Sequence, residues 1–400
     1  MKYSVVIIGG GFSGLCAGVK LGEKFGSNLL ILEGNKRVGK KIVATGNGQG
    51  NITNEVVNSS FYHGDIDFAE KCLARYTNSD LLAFFDKLGL VTDSYMGKVY
   101  PASFTAGSIT DVLRFELERL KVTVKTESLV TKIQKKDCFK IECSNGEIYF
   151  ADKVVCAFGG KSGAGFLTDG KSYKLLTDLG HTLTDLSPSL VQLKTEKDKI
   201  KGLKGVKVDA KVGLYGDKQH IATFDGDLLF TDYGVSGNSI FAISAYLKCV
   251  KFPTLSIEFL PSFTSEKLKE KLIKKIEISS DWEKLLVSVL PSRIALTILK
   301  SAQITHTDKP KAYLVDRLVD QIKNFTLKVE GTAGFESSQV TAGGISTKEV
   351  DVATMQSKKV SNLFIVGETL DVDGNCGGYN LQWAFTSAMI AAEGILSAKN

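Results

Sequence analysis

Along the first 190 residues, short solid apolar runs alternate with longer mixed stretches. Val5, Val6, Ile7 and Ile8 form one such run and residues 29–32 another. An unbroken apolar run of this length suits a strand covered on both faces, as in a parallel sheet, and the spacing between runs leaves room for crossover helices. The pattern predicts an α/β sheet. After Leu120 the periodicity becomes two, in runs at 122–126, 129–135 and 139–144, with Asn145-Gly146 before 148–150. An Asn-Gly pair between β-rich runs predicts a hairpin, because both central residues of the tight turn take positive φ. A further strand over 154–158 runs into Gly159-Gly160.

From about Ser187 the chain becomes lysine-rich and β-branched to Phe259, then helical in period from Ser265 to about Ser301. Ser265 is expected to cap that stretch, with Glu266 in its first turn and Pro291 dividing two helices. After Gln339 the composition returns to glycine, valine and acids; residues 361–366 predict a buried strand and Tyr379 to about Ala398 a final helix. A sheet opened early and completed by the last strand makes the middle of the chain an insertion.

The first strand leads directly into Gly9-Gly10-Gly11-Phe12-Ser13-Gly14. In such a GxGxxG turn Gly9 permits the tight bend, Gly11 lets the backbone approach a pyrophosphate, and Gly14 lets the helix pack close to the strand. The second strand ends at Glu33, where a carboxylate can accept the hydroxyls of an adenosine ribose. Together they predict dinucleotide binding. Residues 39–54 (GKKIVATGNGQGNITN) add backbone NH groups and amides suited to ligand contact, with Lys40 and Lys41 placed to meet phosphate or orient a ring. The loop from Gly367 to Asn380 lies between the last strand and the last helix. It would bring a helix N-terminus to the N1 and C2 carbonyl edge of a reduced flavin.

Bulk properties narrow the classes. The 400 residues exceed one typical domain, and 43% hydrophobic content supports a large core. A net charge of +6, from 50 basic and 44 acidic residues, is too mild for a dedicated nucleic-acid binder. No apolar run reaches the roughly 18 residues of a membrane span, so no membrane association is expected. Seven cysteines lie scattered without a CxxC pair, and His63, His181, His220 and His306 stand far apart. That spacing argues against a zinc site, for which no ligands are assigned, and against a serine-histidine-acid triad; a reducing cytoplasm is the expected location.

Several motifs in order, GGGFSG, residues 39–54, KVYPAS at 98–103, AFGGKSG at 157–163, LLFTDYGVSG at 228–237, TAGGIS at 341–346 and GETLDVDGNCGGYNLQWAF at 367–385, carry a resemblance. The chain resembles the BaiN/RdsA-type (YhiN-like, aminoacetone oxidase-like) family of NAD(P)/FAD-dependent oxidoreductases over nearly its whole length. The resemblance implies a Rossmann-type FAD-binding domain, residues 1–189 and 338–400, split by a β-rich, barrel-like insert, residues 190–262 and 322–337. The insert itself would carry a helical subdomain, residues 263–321. Carried over by position, Gly9, Gly11, Phe12, Ser13 and Gly14 would hold the pyrophosphate and Glu33 the ribose. Lys41, Thr45, Gly46, Asn47, Gly48, Gln49 and Asn51 would line the flavin, and the Val130 backbone would meet the adenine. Ala157, Gly159 and Gly160, with Gly367, Glu368, Asp371, Gly377, Gly378, Tyr379, Asn380 and Leu381, would complete the FAD contacts. The chain departs from the family pattern at Gln49 and Gly50, where relatives carry arginine and cysteine, and at Asp232, where they commonly carry histidine.

The expected reaction is hydride transfer between bound flavin and a small organic substrate, with NADH or NADPH as transient donor or oxygen as acceptor. No second strand-GxGxxG-helix unit is present for a separate nicotinamide domain. Tyr100, Tyr233 and Tyr379 are candidate proton donors, although buried tyrosines commonly serve the core; no catalytic residue is assigned. Cys376 reads as a packing residue or a redox thiol. The alternatives are an RNA-associated flavoprotein, touching phosphates through the lysines between 194 and 211, or a redox sensor with little turnover. That lysine run lacks arginines and interleaved aromatics, so it reads as a solvated face and nucleic acid is not expected. Oligomeric state is left open.

Overall fold

A computed structural model describes every residue except Ser280, His306, Thr307 and 398–400, so His306 and the Ala398 end of the last helix lie outside the described residues. The side chains of Asn47, Ala164 and Cys249 lie outside them too. The chain divides into two units, Met1–Pro188 with the segment from Ser338 onward, and Ser189–Ser337.

In the first unit the buried runs become the centre of one sheet. Lys2–Ile8 pairs in parallel with Leu29–Leu32 on one side and with Ile148–Cys156 on the other, and Thr123–Lys125 extends the edge beyond Leu29–Leu32. Ile148–Cys156 is one strand, where the sequence predicted separate strands at 148–150 and 154–158. The polar pair between them does not interrupt the ladder: Asp152 is exposed and ion-pairs with Lys2 at 2.7 Å, while Lys153 stays in register with Val5. The strand divides its far edge between two neighbours. Its start runs antiparallel to Phe139–Cys143, which continues to Val130–Lys135, and its end runs parallel to Leu363–Ile365. The hairpin forms at Asn145-Gly146, but only Gly146, at φ +83°, takes positive φ; its amide donates to the Cys143 carbonyl at 3.0 Å. The late strand thus completes a sheet opened at residue 2, and the helices Phe12–Phe25 and Tyr379–Ser397 pack on each other.

The second unit is a closed antiparallel barrel of six strands in the order Leu193–Thr195, Gly234–Ser236, Gln219–Phe230, Lys207–Gly216, Thr254–Glu258 and Phe325–Thr332. Alternate residues Val212, Leu214, Leu255, Ile257 and Leu327 are buried and fill it. The stretch 265–301 holds three helices rather than two: Ser265–Ile276, Trp282–Leu286 and Ser292–Ser301. Asp281 starts the unforeseen one, its Oδ1 accepting from the Glu283 amide at 2.8 Å. Thr264, not Ser265, caps the first: its backbone is extended and its hydroxyl accepts from the Lys267 amide at 3.3 Å. With Ala312–Lys323 these helices pack Leu272, Ile294 and Leu318 into the same hydrophobic cluster as Phe230 and Phe325 of the barrel. Among the described residues no helix is long and apolar enough to cross a membrane.

Candidate functional site

The first turn uses its glycines in two different ways. A Cβ on Gly9, which sits at φ +107°, would lie 2.4 Å from the Ala157 carbonyl oxygen, and one on Gly14 would lie 1.9 Å from the Gly9 oxygen. Those two are required by the strand-helix packing itself. Gly11 is not: its φ of −80° suits any residue, and a Cβ there would meet nothing within 4 Å. The open space faces the start of the Phe12–Phe25 helix, which has no side-chain cap and no acid in its first turn. Helix NH groups left this way form an anion site. Phe12 contributes backbone only, since its ring is buried and stacked on Phe85 at 5.7 Å. A Cβ on Gly367 would lie 2.8 Å from the Ser13 hydroxyl, so the last loop comes close to the first turn there.

Glu33 stands one turn away. Its Oε2 accepts from the Gly10 amide at 2.8 Å and its Oε1 from the Asn35 amide and side chain at 2.7 and 2.8 Å. This fixes the carboxylate and, of its about four acceptor sites, leaves one on Oε2 open to a ribose hydroxyl. The Glu33 carbonyl accepts from the Ser128 amide at 2.9 Å, which brings the chain entering Val130 beside the same turn.

The remaining loops are fastened to one another. Thr45–Gly48 is a single 3-10 turn, with Gly46 and Gly48 at φ +60° and +88°; it carries the backbone of Asn47 and leads into Gln49. Asn51 donates to the carbonyls of Thr53 and Val99 at 2.8 and 3.0 Å, and the Thr53 hydroxyl donates to Gln382 at 2.7 Å. A Cβ on Gly378 would lie 2.5 Å from Thr53 backbone, and Asn54 donates to the Gly377 carbonyl at 3.2 Å. Asn380 exchanges two hydrogen bonds with Gly374, at 2.8 and 2.7 Å. Its amide therefore holds the loop in shape, and Leu381 packs on the core beneath. Lys41 ion-pairs with Glu368 at 2.7 Å, and Glu368 Oε1 accepts from the Thr341 amide at 2.9 Å. Gly159 and Gly160 lie against this carboxylate; a Cβ on Gly160 would be 2.9 Å from its Oε1. Asp371 Oδ1 is buried without a hydrogen-bond partner.

Of the tyrosines named from sequence, two sit here. Tyr100 is buried next to Gly46, and burial, aided by the neighbouring Cys376, raises its phenol. Tyr379 stacks on Phe61 at 4.5 Å, and burial pushes its phenol up to about 12. Tyr233 belongs to the barrel unit and donates to Gln192 at 2.6 Å, and Asp232 ion-pairs there with Lys204 at 2.9 Å. Nothing in the residues around His63 marks it as part of this site. Its Nε2 lies 2.8 Å from the Asn375 Oδ1, on a short strand whose residue 63 is opposite Asp373. Burial lowers its pKa, and the Asn375 bond opposes that. Only the long-range pairing of Tyr62–Gly64 with Val372–Gly374 brings it to the loop.

An open helix N-terminus, a fixed ribose acceptor and an unpartnered carboxylate oxygen beside glycine loops fit FAD. Fold and loops define a Rossmann-type flavoprotein oxidoreductase. The chain belongs to the family of the HI0933-like protein Rossmann domain, whose profile matches residues 3–394. It is 35% identical over 396 residues to the 3-dehydro-bile acid delta(4,6)-reductase of Clostridium scindens, covering 96% of this chain and 97% of that one. It is 28% identical over 406 residues to the ribosomal RNA dihydrouridine synthase of Escherichia coli, covering 100% and 99%. The enzyme of that name from Haemophilus influenzae is 30% identical over 402 residues, covering 97% of each. Among solved structures, the 3-ketosteroid-delta4-(5alpha)-dehydrogenase of Rhodococcus jostii RHA1 shares the fold, with a TM-score of 0.51 at 13% identity over 99% of this chain and 97% of that one.

Proposed function

We propose that this protein is an FAD-dependent reductase that saturates a carbon-carbon double bond conjugated to a carbonyl in an organic substrate. The reading is carried by the Gly11 cradle together with the relatives. A bile-acid dienone and the uracil ring of uridine share that conjugated bond, so the two reductions are one chemistry on different substrates. Bound FAD supplies the hydride. Gly11, Ser13 and the helix N-terminus bind the pyrophosphate, Glu33 the ribose, and Asp371 and Glu368 the polar chain between phosphate and ring. Gly46 to Asn51 and Gly377 to Leu381 orient the ring, and Val130, Ala157, Gly159 and Gly160 close the remaining edge. Lys41 balances the Glu368 charge. Hydride addition leaves the neighbouring carbon needing a proton, and the Tyr100 hydroxyl, beside Gly46, is the group assigned to give it. NADH or NADPH is the donor in this scheme.

The test is anaerobic: the flavin bands are bleached with NADH or NADPH, and an α,β-unsaturated ketone is then added. Return of the bands with the ketone supports the proposal. Return only with air replaces it by an oxidase, and bands that no nicotinamide bleaches remove the assigned donor. Tyr100→Phe should slow the ketone step by about 100-fold, the scale of general-acid catalysis, while leaving the nicotinamide step unchanged.

A further inference from the structure

The segment from Tyr100 to Ala106 is fastened onto the glycine turn at residues 45–50. The Ala106 amide donates to the Gly48 carbonyl at 2.8 Å, and a Cβ on Gly50 would lie 2.8 Å from the Ala106 Cα. A Cβ on Gly46 would lie 3.9 Å from the Tyr100 ring. Between these two anchors the chain turns tightly. The Phe104 amide donates to the Pro101 carbonyl at 2.8 Å, the Thr105 hydroxyl donates to the Ser103 carbonyl at 3.1 Å, and the Ser103 and Ser108 hydroxyls lie 2.9 Å apart.

Phe104 is the misfit in that turn. Its backbone sits at φ +47°, which bulky L residues rarely adopt, and its side chain is 40% exposed. A core aromatic would be buried, and a turn residue at this φ would be glycine or asparagine. A strained backbone that carries an exposed ring beside a ligand site points to a use for the ring. The ring is held in place by Tyr100, with centroids 5.4 Å apart and planes 31° from parallel. Tyr100 is only 8% exposed, so the two rings make one wall with a buried inner member and an open outer one. The inner ring carries the hydroxyl assigned as proton donor, and the outer ring carries no polar group at all.

We propose that Phe104 is a specificity-determining residue, its ring stacking on the conjugated plane of the substrate and so selecting ketones whose double bond is conjugated to a ring over open-chain ones. The inference rests on the reductase reading of this site, with Tyr100 as its proton donor. A planar acceptor lying along the wall sets the carbon to be protonated toward the Tyr100 hydroxyl and the rest of its π system against Phe104. Offset stacking at centroid distances of about 4.5–7 Å then holds it. An open-chain enone has no ring to offer, so it meets Tyr100 alone and gains nothing from the outer ring.

Two readouts on the flavin-loaded protein test this. The first needs no turnover: α-tetralone, an aromatic ketone without a reducible alkene, is titrated against the oxidised flavin bands. Binding that Phe104→Leu weakens about 5-fold and that Phe104→Tyr retains supports the inference, since leucine keeps the apolar bulk and loses only the aromatic pair. No binding, or equal binding by the leucine variant, overturns it. The second readout compares benzalacetone with ethylideneacetone, enones that differ only in phenyl for methyl, as they restore bands bleached anaerobically by nicotinamide. The preference for benzalacetone should fall about 5-fold in Phe104→Leu, with the ethylideneacetone rate and the bleaching unchanged. Equal loss of rate with both ketones, slower bleaching, or a leucine variant that no longer holds FAD would make Phe104 a support of the glycine turn, and each overturns the inference. Bands that neither ketone restores in the wild-type protein remove the reductase reading, whereas the tetralone titration still decides whether Phe104 is an aromatic contact.

Discussion

Gly9, Gly11 and Gly14 belong to one motif, yet only one of them is free of steric demand in the protein itself. A methyl on Gly14 would collide with the Gly9 carbonyl at 1.9 Å, so Gly14→Ala should destabilise the chain with or without FAD. A methyl on Gly11 enters open space at an ordinary φ of −80°. Gly11→Ala should therefore leave the stability of the FAD-free protein within about 0.5 kcal/mol of wild type, as for other contact-free substitutions. With the pyrophosphate seated at Gly11 as proposed, the same methyl takes its place, so FAD affinity should fall at least about 10-fold, or ~1.4 kcal/mol. Equilibrium dialysis beside a thermal melt separates the two effects; unchanged FAD affinity would mean that the pyrophosphate lies elsewhere. Gly50 is the opposite case. At φ +79°, a side chain there would meet the Ala106 Cα and the Ile109 methyl at 2.8 Å, so the packing around this loop demands glycine.

At the scale of elements, the two glycine loops derive their shape from a few amide side chains. Asn380 gives both its amide groups to Gly374, while Asn51 secures Thr53 and Val99. Asn380→Ala removes both bonds, each worth about 1 kcal/mol net. Cleavage within the loop by a nonspecific protease should become faster, and FAD retention should drop with it. If the flavin were lost without any gain in cleavage, Asn380 would be a direct ligand rather than a positioning residue. These loops show which parts the sequence could reveal. Solid apolar runs and the Gly9 to Gly14 turn are local signals, so the central strands and the cradle were legible. The Lys2–Ile8 ladder held Asp152 and Lys153 in one continuous strand because pairing overrides two polar residues, which no local pattern conveys. His63 reaches Asn375 through a strand pair more than 300 residues apart in sequence, and a lone histidine carries no mark of that. The Asp281 cap was a readable signal, overshadowed by the longer helical period around it.

The molecule as a whole combines two hydrophobic clusters, one confined to each unit. Burial lowers the pKa of His63 and of His181, so the native state binds fewer protons than the unfolded chain, and stability is lost as pH falls below about 6.5. Burial would raise Glu349, but Lys359 at 2.6 Å and Thr182 hold it at about 2. Its contribution is complete above its ordinary value of 4.5 and disappears between there and about 2. Melting temperature should decline in those two pH ranges, and a flat profile from pH 7 to 5.5 would contradict the histidine assignment. Every assigned FAD contact lies in the unit containing Met1–Pro188, whereas the barrel and its helices share the other cluster. Ligand that binds only one cooperative unit stabilises that unit by mass action, about 2.7 kcal/mol at one hundred times its Kd. Calorimetry of the FAD-free protein should resolve two transitions, and FAD should move one upward while the other stays in place. Phe325→Ala, which empties part of the barrel cluster, should lower only the second, by the roughly 3 to 5 kcal/mol of a lost core aromatic. A single transition that both FAD and Phe325→Ala shift would mean that the two clusters unfold together, and that FAD bound to the first unit stabilises the second as well.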